Sequence, residues 1–178
     1  MAPSGNAWNQ PVKLAAEQRL KVFQTDWDKW LRGDVRVKKD GEVTVRDIEN
    51  HHLVLFGDPG SNTIIAQVLG QLPLTWTKEQ ITLGGQSFAA ADHLPVLIYP
   101  NPLNPKKYVV LNSGHSFGES AFKGTNALLF PRLGDFAVLK LTGEVALHGL
   151  FDERWNPLRG LGQVPIRIAP ACDFDDTD

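Results

Sequence analysis

Three features of this sequence predict an α/β fold, a small layered domain with a mixed, partly parallel sheet flanked by helices. Short β-branched and aromatic runs recur at 53–56, 95–99, 108–112 and 136–141. A long amphipathic segment opens the chain. At 53–72 an apolar run, a glycine-bearing loop and a helical pattern follow one another, the first half of a βα unit.

Taken in order, residues 1–10 lack periodicity and are expected as a flexible lead, with Met1 to Gly5 resembling a remnant ahead of a domain cut from a longer chain. A single α/β domain is expected over 11–160. Between Pro11 and Leu31, the residues Ala16, Leu20, Phe23, Trp27 and Trp30 recur at steps of four and three, one apolar face of a helix laid on the sheet. Asn9 suits its cap, Pro11 its first turn and Gly33 its stop. Residues 35–38 alternate apolar and basic, as a short edge strand would. Thr44 and Asp47 have capping-box spacing for a short helix reaching about Asn50.

The run 53–56 is a buried strand by composition, and Ser61 or Asn62 would cap the helix over 63–72. Residues 74–77 form a further strand, and 81–88 a hairpin bent at Gly84-Gly85. The run 95–99 leads into Pro100, Pro102 and Pro105, where regular structure is expected to stop. Its short connection to 108–112 makes the two antiparallel neighbours. A helix is expected at 119–129, and a hairpin across Thr142-Gly143 joins 136–141 to 144–148. Residues 151–155 would cap the core, and 161–178 form a Pro-rich, then acidic tail.

Composition narrows the function classes. The chain has 178 residues, 42% of them apolar, enough for one soluble core. A net charge of -2 gives no reason to expect nucleic acid, and no run is long enough to span a membrane. The single cysteine, Cys172, rules out an internal disulfide framework and leaves the compartment open between cytoplasmic and exported. The neighbours His51 and His52 point to opposite faces of an extended chain, and Asp92-His93 stands without a helical or Cys/His partner set. Neither a metal nor another cofactor is expected.

The strongest chemical signal is Gly114-His115-Ser116-Phe117-Gly118, a G-x-S-x-G turn after an apolar strand. As an esterase elbow it would use Ser116 as nucleophile and His148 as base. Asp135 would orient the base, since Asp152 breaks the order serine, acid, histidine. Short motifs arise by chance, however. His148 also lies in an alternating segment. Its period-2 pattern puts it on the face opposite Val145 and Leu147, away from a buried elbow.

The other signals are for binding. The loop 57–62 precedes a helix N-terminus, where Asp58, Ser61 and Asn62 gather, but it lacks G-x-G-x-x-G and a Walker lysine. Tyr99, Asn101 and Asn104 would rim a proline-stiffened loop suited to a small molecule, a peptide or a sugar. If 53–56 and 108–112 run parallel, their C-terminal ends bring Asp58, Asn62, Asn112 and His115 to one edge, where open α/β sheets bind ligands.

Four segments carry a resemblance. They are Leu-Val-Leu-Phe-Gly-Asp-Pro-Gly-Ser-Asn at 53–62, Ile-Tyr-Pro-Asn-Pro-Leu-Asn-Pro at 98–105, Tyr-Val-Val-Leu-Asn-Ser-Gly-His at 108–115 and Gly-Leu-Phe-Asp-Glu-Arg-Trp at 149–155. Together, across about Trp8 to Trp155, the chain resembles the C-terminal accessory domain that follows a prolyl-oligopeptidase-like or dienelactone-hydrolase-like α/β-hydrolase domain in large bacterial proteins. The resemblance implies a small α/β domain whose partner is that hydrolase domain, with the hydrolase's triad elsewhere. It transfers no catalytic residue onto this chain.

Overall fold

The computed structural model describes residues 1–113 and 134–158, apart from the side chain of Trp30. The expected helix at 119–129, the tail 161–178, His115 and Ser116 lie outside the described residues. So does the cysteine.

Two sheets share one core. The larger has five strands in the order β1 (Leu53–Leu55), β6 (Asn104–Leu111), β5 (His93–Asn101), β7 (Phe136–Lys140) and β8 (Val145–Gly149). β1 and β6 run parallel, with Leu53 beside Val109 and Leu55 beside Leu111, and every other pair in this sheet is antiparallel. The fold is therefore mixed α/β, as the apolar runs predict. The smaller sheet is an antiparallel meander of β2 (Leu74–Trp76), β3 (Gln80–Leu83) and β4 (Gln86–Ala89). Its bend falls at Gly84 and Gly85, whose φ of 58° and 79° are those of a two-residue I′ turn.

Leu53, Leu55, Leu97, Val109, Leu111 and Phe136 from the first sheet meet Trp76, Ile81 and Leu83 from the second in one cluster. Ile64, Ile65 and Val68 of the helix α3 (Thr63–Val68) close it. The reverse face of the large sheet carries a smaller cluster of Val96, Ala137, Leu139 and Val145.

The helix α1 (Gln10–Leu31) presents the expected stripe over its described side chains: Ala16 and Phe23 are buried and Leu20 and Trp27 are partly so, and Val12 joins them as a further buried residue. Phe23 lies 5.6 Å from Trp27 and 5.8 Å from Phe56, ring centre to ring centre. The N-cap position is Asn9, but its side chain reaches the carbonyls of Lys78 and Ala90 and does not cap the helix. Arg32, at φ 56°, ends α1 where Gly33 was expected to. The capping box at Thr44 and Asp47 forms as expected and starts α2 (Val45–Asn50).

Four further expectations need correction. The lead at 1–10 is bound along the fold. Phe56 N–H donates to the Met1 carbonyl, Ser4 and Gly5 N–H donate to the Ser61 carbonyl, and the Met1 amino group donates to the Val54 carbonyl. Backbone pairing of this kind needs no side-chain periodicity, so composition does not reveal it. Residues 35–38 form no strand; one bridge joins Lys39 to Ala2 instead.

The proline loop is in fact a hairpin, β5 turning into β6 through Pro102 and Leu103. Pro100 and Pro105 fit because β5 pairs with β7 only up to Leu97, and β6 pairs with β1 only from Val109. At the tip each strand has a single partner, and a missing N–H can face outward there. Finally, a register shift at Val138/Leu139 sets Leu139 against Val145 but Val138 against Leu147. Val145 and Leu147 therefore face opposite ways. His148, opposite Ala137, shares the face of Val145, against the period-2 expectation.

Candidate functional site

The parallel pair brings the C-terminal ends of β1 and β6 together, as the conditional reading required. Asp58, Ser61, Asn62 and Asn112 meet there and are all buried. Their hydrogen bonds run to the protein itself. Asn112 leaves β6 at φ 47°, a left-handed conformation that Asn tolerates. Its Oδ1 accepts from Gly57 N–H at 2.8 Å, and its Nδ2 donates to the Gly57 carbonyl at 2.9 Å and more weakly to the Pro95 carbonyl at 3.4 Å.

Asp58 accepts from Ser61 N–H at 2.8 Å and, through its other oxygen, from Trp8 N–H at 2.7 Å. Ser61 Oγ accepts from Asp58 N–H at 2.9 Å. Asn62 Oδ1 accepts from Ile64 and Ile65 N–H, and its Nδ2 donates to the Phe56 carbonyl. The N–H groups that would face an anion at the start of α3 are thus capped from within. The lead closes the outside: a Cβ on Gly60 would lie 2.5 Å from Trp8 Cδ1 and 2.7 Å from the Asn6 carbonyl.

Asp40 extends this network beneath α3, accepting from Thr63 N–H at 2.7 Å and Thr63 Oγ1 at 2.8 Å. Burial alone pushes its carboxyl up, but bonds from Ser4 and Thr63 outweigh that and hold it below the usual carboxylate value.

The proposed acid and base do not engage each other. Asp135 Oδ2 accepts from Phe151 N–H at 2.9 Å, while its backbone joins Gly149 and Ile98. It ties the start of β7 to the middle of β5 and to the end of β8. His148 Nε2 is buried and has no hydrogen-bond partner among the described residues. The acid-to-base bond of a serine triad is absent among the described residues.

A different cluster stands at the tip end of the β5–β6 hairpin. Trp155 has ring centres 5.6 Å from Tyr99, 5.7 Å from Tyr108 and 5.9 Å from Phe151. His52 stacks on Tyr108 at 5.5 Å and 26°. Tyr108 is 39% exposed. Trp155 sits at φ 64°, a costly conformation for a bulky residue. Asp152 holds it there: its carbonyl accepts from Trp155 N–H, and its carboxylate accepts from Arg154 and Asn156 N–H, each at 2.8 Å. Those bonds, led by the one from Asn156, keep the Asp152 carboxyl below its usual value.

Of the expected polar rim, Asn101 is fully buried, with Oδ1 on Leu103 N–H and Nδ2 unpartnered among the described residues. Asn104 holds the Ile48 and Glu49 carbonyls of α2. Only Tyr99 of that set joins the aromatic cluster. Sequence reasoning passed over His52, Tyr108 and Trp155 as site residues. The signal within reach was Tyr108 and Trp155 themselves, large rings flanking a hairpin and a turn.

Among the described residues no group of three or more His, Cys, Asp and Glu could hold a metal ion, and no helix is long and apolar enough to cross a membrane. No family model, curated protein or solved structure matches this chain.

Proposed function

We propose that this chain is a non-catalytic binding domain, an accessory unit of the kind that accompanies an α/β-hydrolase. The observation that carries the reading is the fate of the two groups expected to activate Ser116. The Asp135 carboxylate accepts a backbone N–H from Phe151, and among the described residues no bond joins it to His148. A general base needs a hydrogen-bonded orienter to hold its tautomer and stabilise its charged form.

Binding falls to the aromatic end of the β5–β6 hairpin, where Tyr99, Tyr108 and Trp155 offer ring faces and edges to a sugar or an extended peptide. The accessory role rests on the resemblance of four segments alone. The alternative is a small serine ester hydrolase, and one observation favours it: the buried His148 Nε2, without a partner among the described residues, is available to a hydroxyl.

Hydrolysis of p-nitrophenyl acetate separates the two. The expected rate is that of buffer, unchanged in Ser116→Ala and His148→Ala. Turnover well above buffer, lost in both variants with the fold intact, would establish the esterase and end the accessory reading.

A further inference from the structure

Tyr108 N–H donates to His52 Nδ1 at 2.9 Å, across 56 residues of sequence. The direction of that bond fixes the state of the ring. A backbone N–H can only donate, so Nδ1 must carry a lone pair, and His52 is neutral with its proton on Nε2. An imidazolium has donors on both nitrogens and cannot accept this bond. The same ring stacks on the Tyr108 side chain, which in turn touches Trp155. His52 thus holds Tyr108 twice, by backbone and by ring, and the backbone hold answers to one proton.

We propose that His52 is a pH-responsive latch on the aromatic surface. Neutral, it fastens the β6 backbone at Tyr108; protonated, it loses that bond, while the ring stack does not depend on a neutral imidazole. His52 is exposed, so a proton reaches it without unfolding the domain.

The charged groups on the elements around it are Arg46, Asp47 and Glu49 of α2, the adjacent His51, Lys106 and Lys107 of β6, and Glu153 and Arg154 of the turn that carries Trp155. None of them forms an ion pair with His52 among the described residues, and Asp47 is taken by Lys38. The consequence for a ligand rests on the binding reading above; the latch itself does not.

The experiment is a proton–nitrogen NMR titration of the full chain, without ligand, from about pH 8 to about pH 5. The Tyr108 amide should move with the same midpoint as the His52 ring. Its hydrogen-exchange protection should fall about fivefold on protonation, the loss of one ordinary hydrogen bond. In His52→Asn the side-chain oxygen can accept the same N–H at any pH, so the Tyr108 amide should stay fixed across the range. In His52→Phe, which keeps a ring and no acceptor, it should stay in the unfastened position.

A Tyr108 amide indifferent to the His52 titration would overturn the latch, as would the same shift persisting in His52→Asn. Since no ligand is present, neither result depends on whether the surface binds one.

Discussion

The loop at 57–62 and the aromatic end of the β5–β6 hairpin are both places where an α/β domain could meet a ligand, and they are built in opposite ways. Around the loop, Asp58, Ser61, Asn62 and Asn112 are buried, and their side chains bond to backbone nearby. The lead lies over the outside. At the hairpin end, a 39%-exposed tyrosine is held by a stacked histidine and a tryptophan in a left-handed conformation. A cluster of polar residues at a sheet's C-terminal edge is thus no sign of a site once its bonds are traced. The first region uses its polar groups for stability, and the second leaves part of one aromatic ring, Tyr108, exposed beside Tyr99 and Trp155, which pack on the core.

Mutations can break or sharpen that contrast. The largest effect is expected for Asn112→Ala. It strips the bonds to Gly57 N–H and carbonyl inside the fold, leaves both unsatisfied and puts a less tolerant residue at φ 47°. A loss of about 3 kcal/mol in urea denaturation is expected; a loss below about 1 kcal/mol would mean that water replaces the side chain and the region is open.

Next comes Val109→Ala, at a fully buried position between the two sheets. It should cost about 2 kcal/mol, whereas half-buried Val110→Ala on the reverse face should cost less than about 1 kcal/mol. Equal losses would place the main core on both faces.

Asp40→Asn tests the polar network by pH. The folded Asp40 carboxyl lies below its usual value, so its contribution is complete above the ordinary carboxylate range and is lost as pH falls through the folded value. The variant should lack that part of the acid-side loss of stability; an unchanged acid slope would contradict the network. Tyr108→Ala should be the mildest, at about 1 kcal/mol or less, because an exposed ring contributes little beyond its aromatic contacts. A loss as large as that of Asn112→Ala would make the aromatic end structural.

The apolar runs carried the fold. The strands around 53–56, 95–99 and 108–112, the antiparallel pairing of the last two and the Gly84-Gly85 bend were legible, since burial and turn chemistry act locally, whereas the parallel direction of 53–56 and 108–112 entered only as a condition. The proline hairpin was not, because whether Pro100 and Pro105 are tolerated depends on where the neighbouring strands end. Neither was the face of His148, which a bulge reverses.

At the site, the meeting of Asp58, Asn62 and Asn112 was foreseeable from the parallel pair. That their bonds turn inward was not, because it depends on backbone groups of Gly57, Trp8 and Phe56 that no residue pattern marks. The His52–Tyr108 contact spans 56 residues and leaves no local trace.

Amide hydrogen exchange measured residue by residue compares the two regions most directly. Gly57 and Ser61, whose N–H groups bond to the buried side chains of Asn112 and Asp58, should be among the slowest to exchange, approaching the rate set by global unfolding. Tyr108, bonded to an exposed histidine, should exchange far faster. Gly57 and Ser61 exchanging as fast as Tyr108 would show that the loop opens and offers its polar groups outward, and would contradict the assignment of structure to one region and binding to the other.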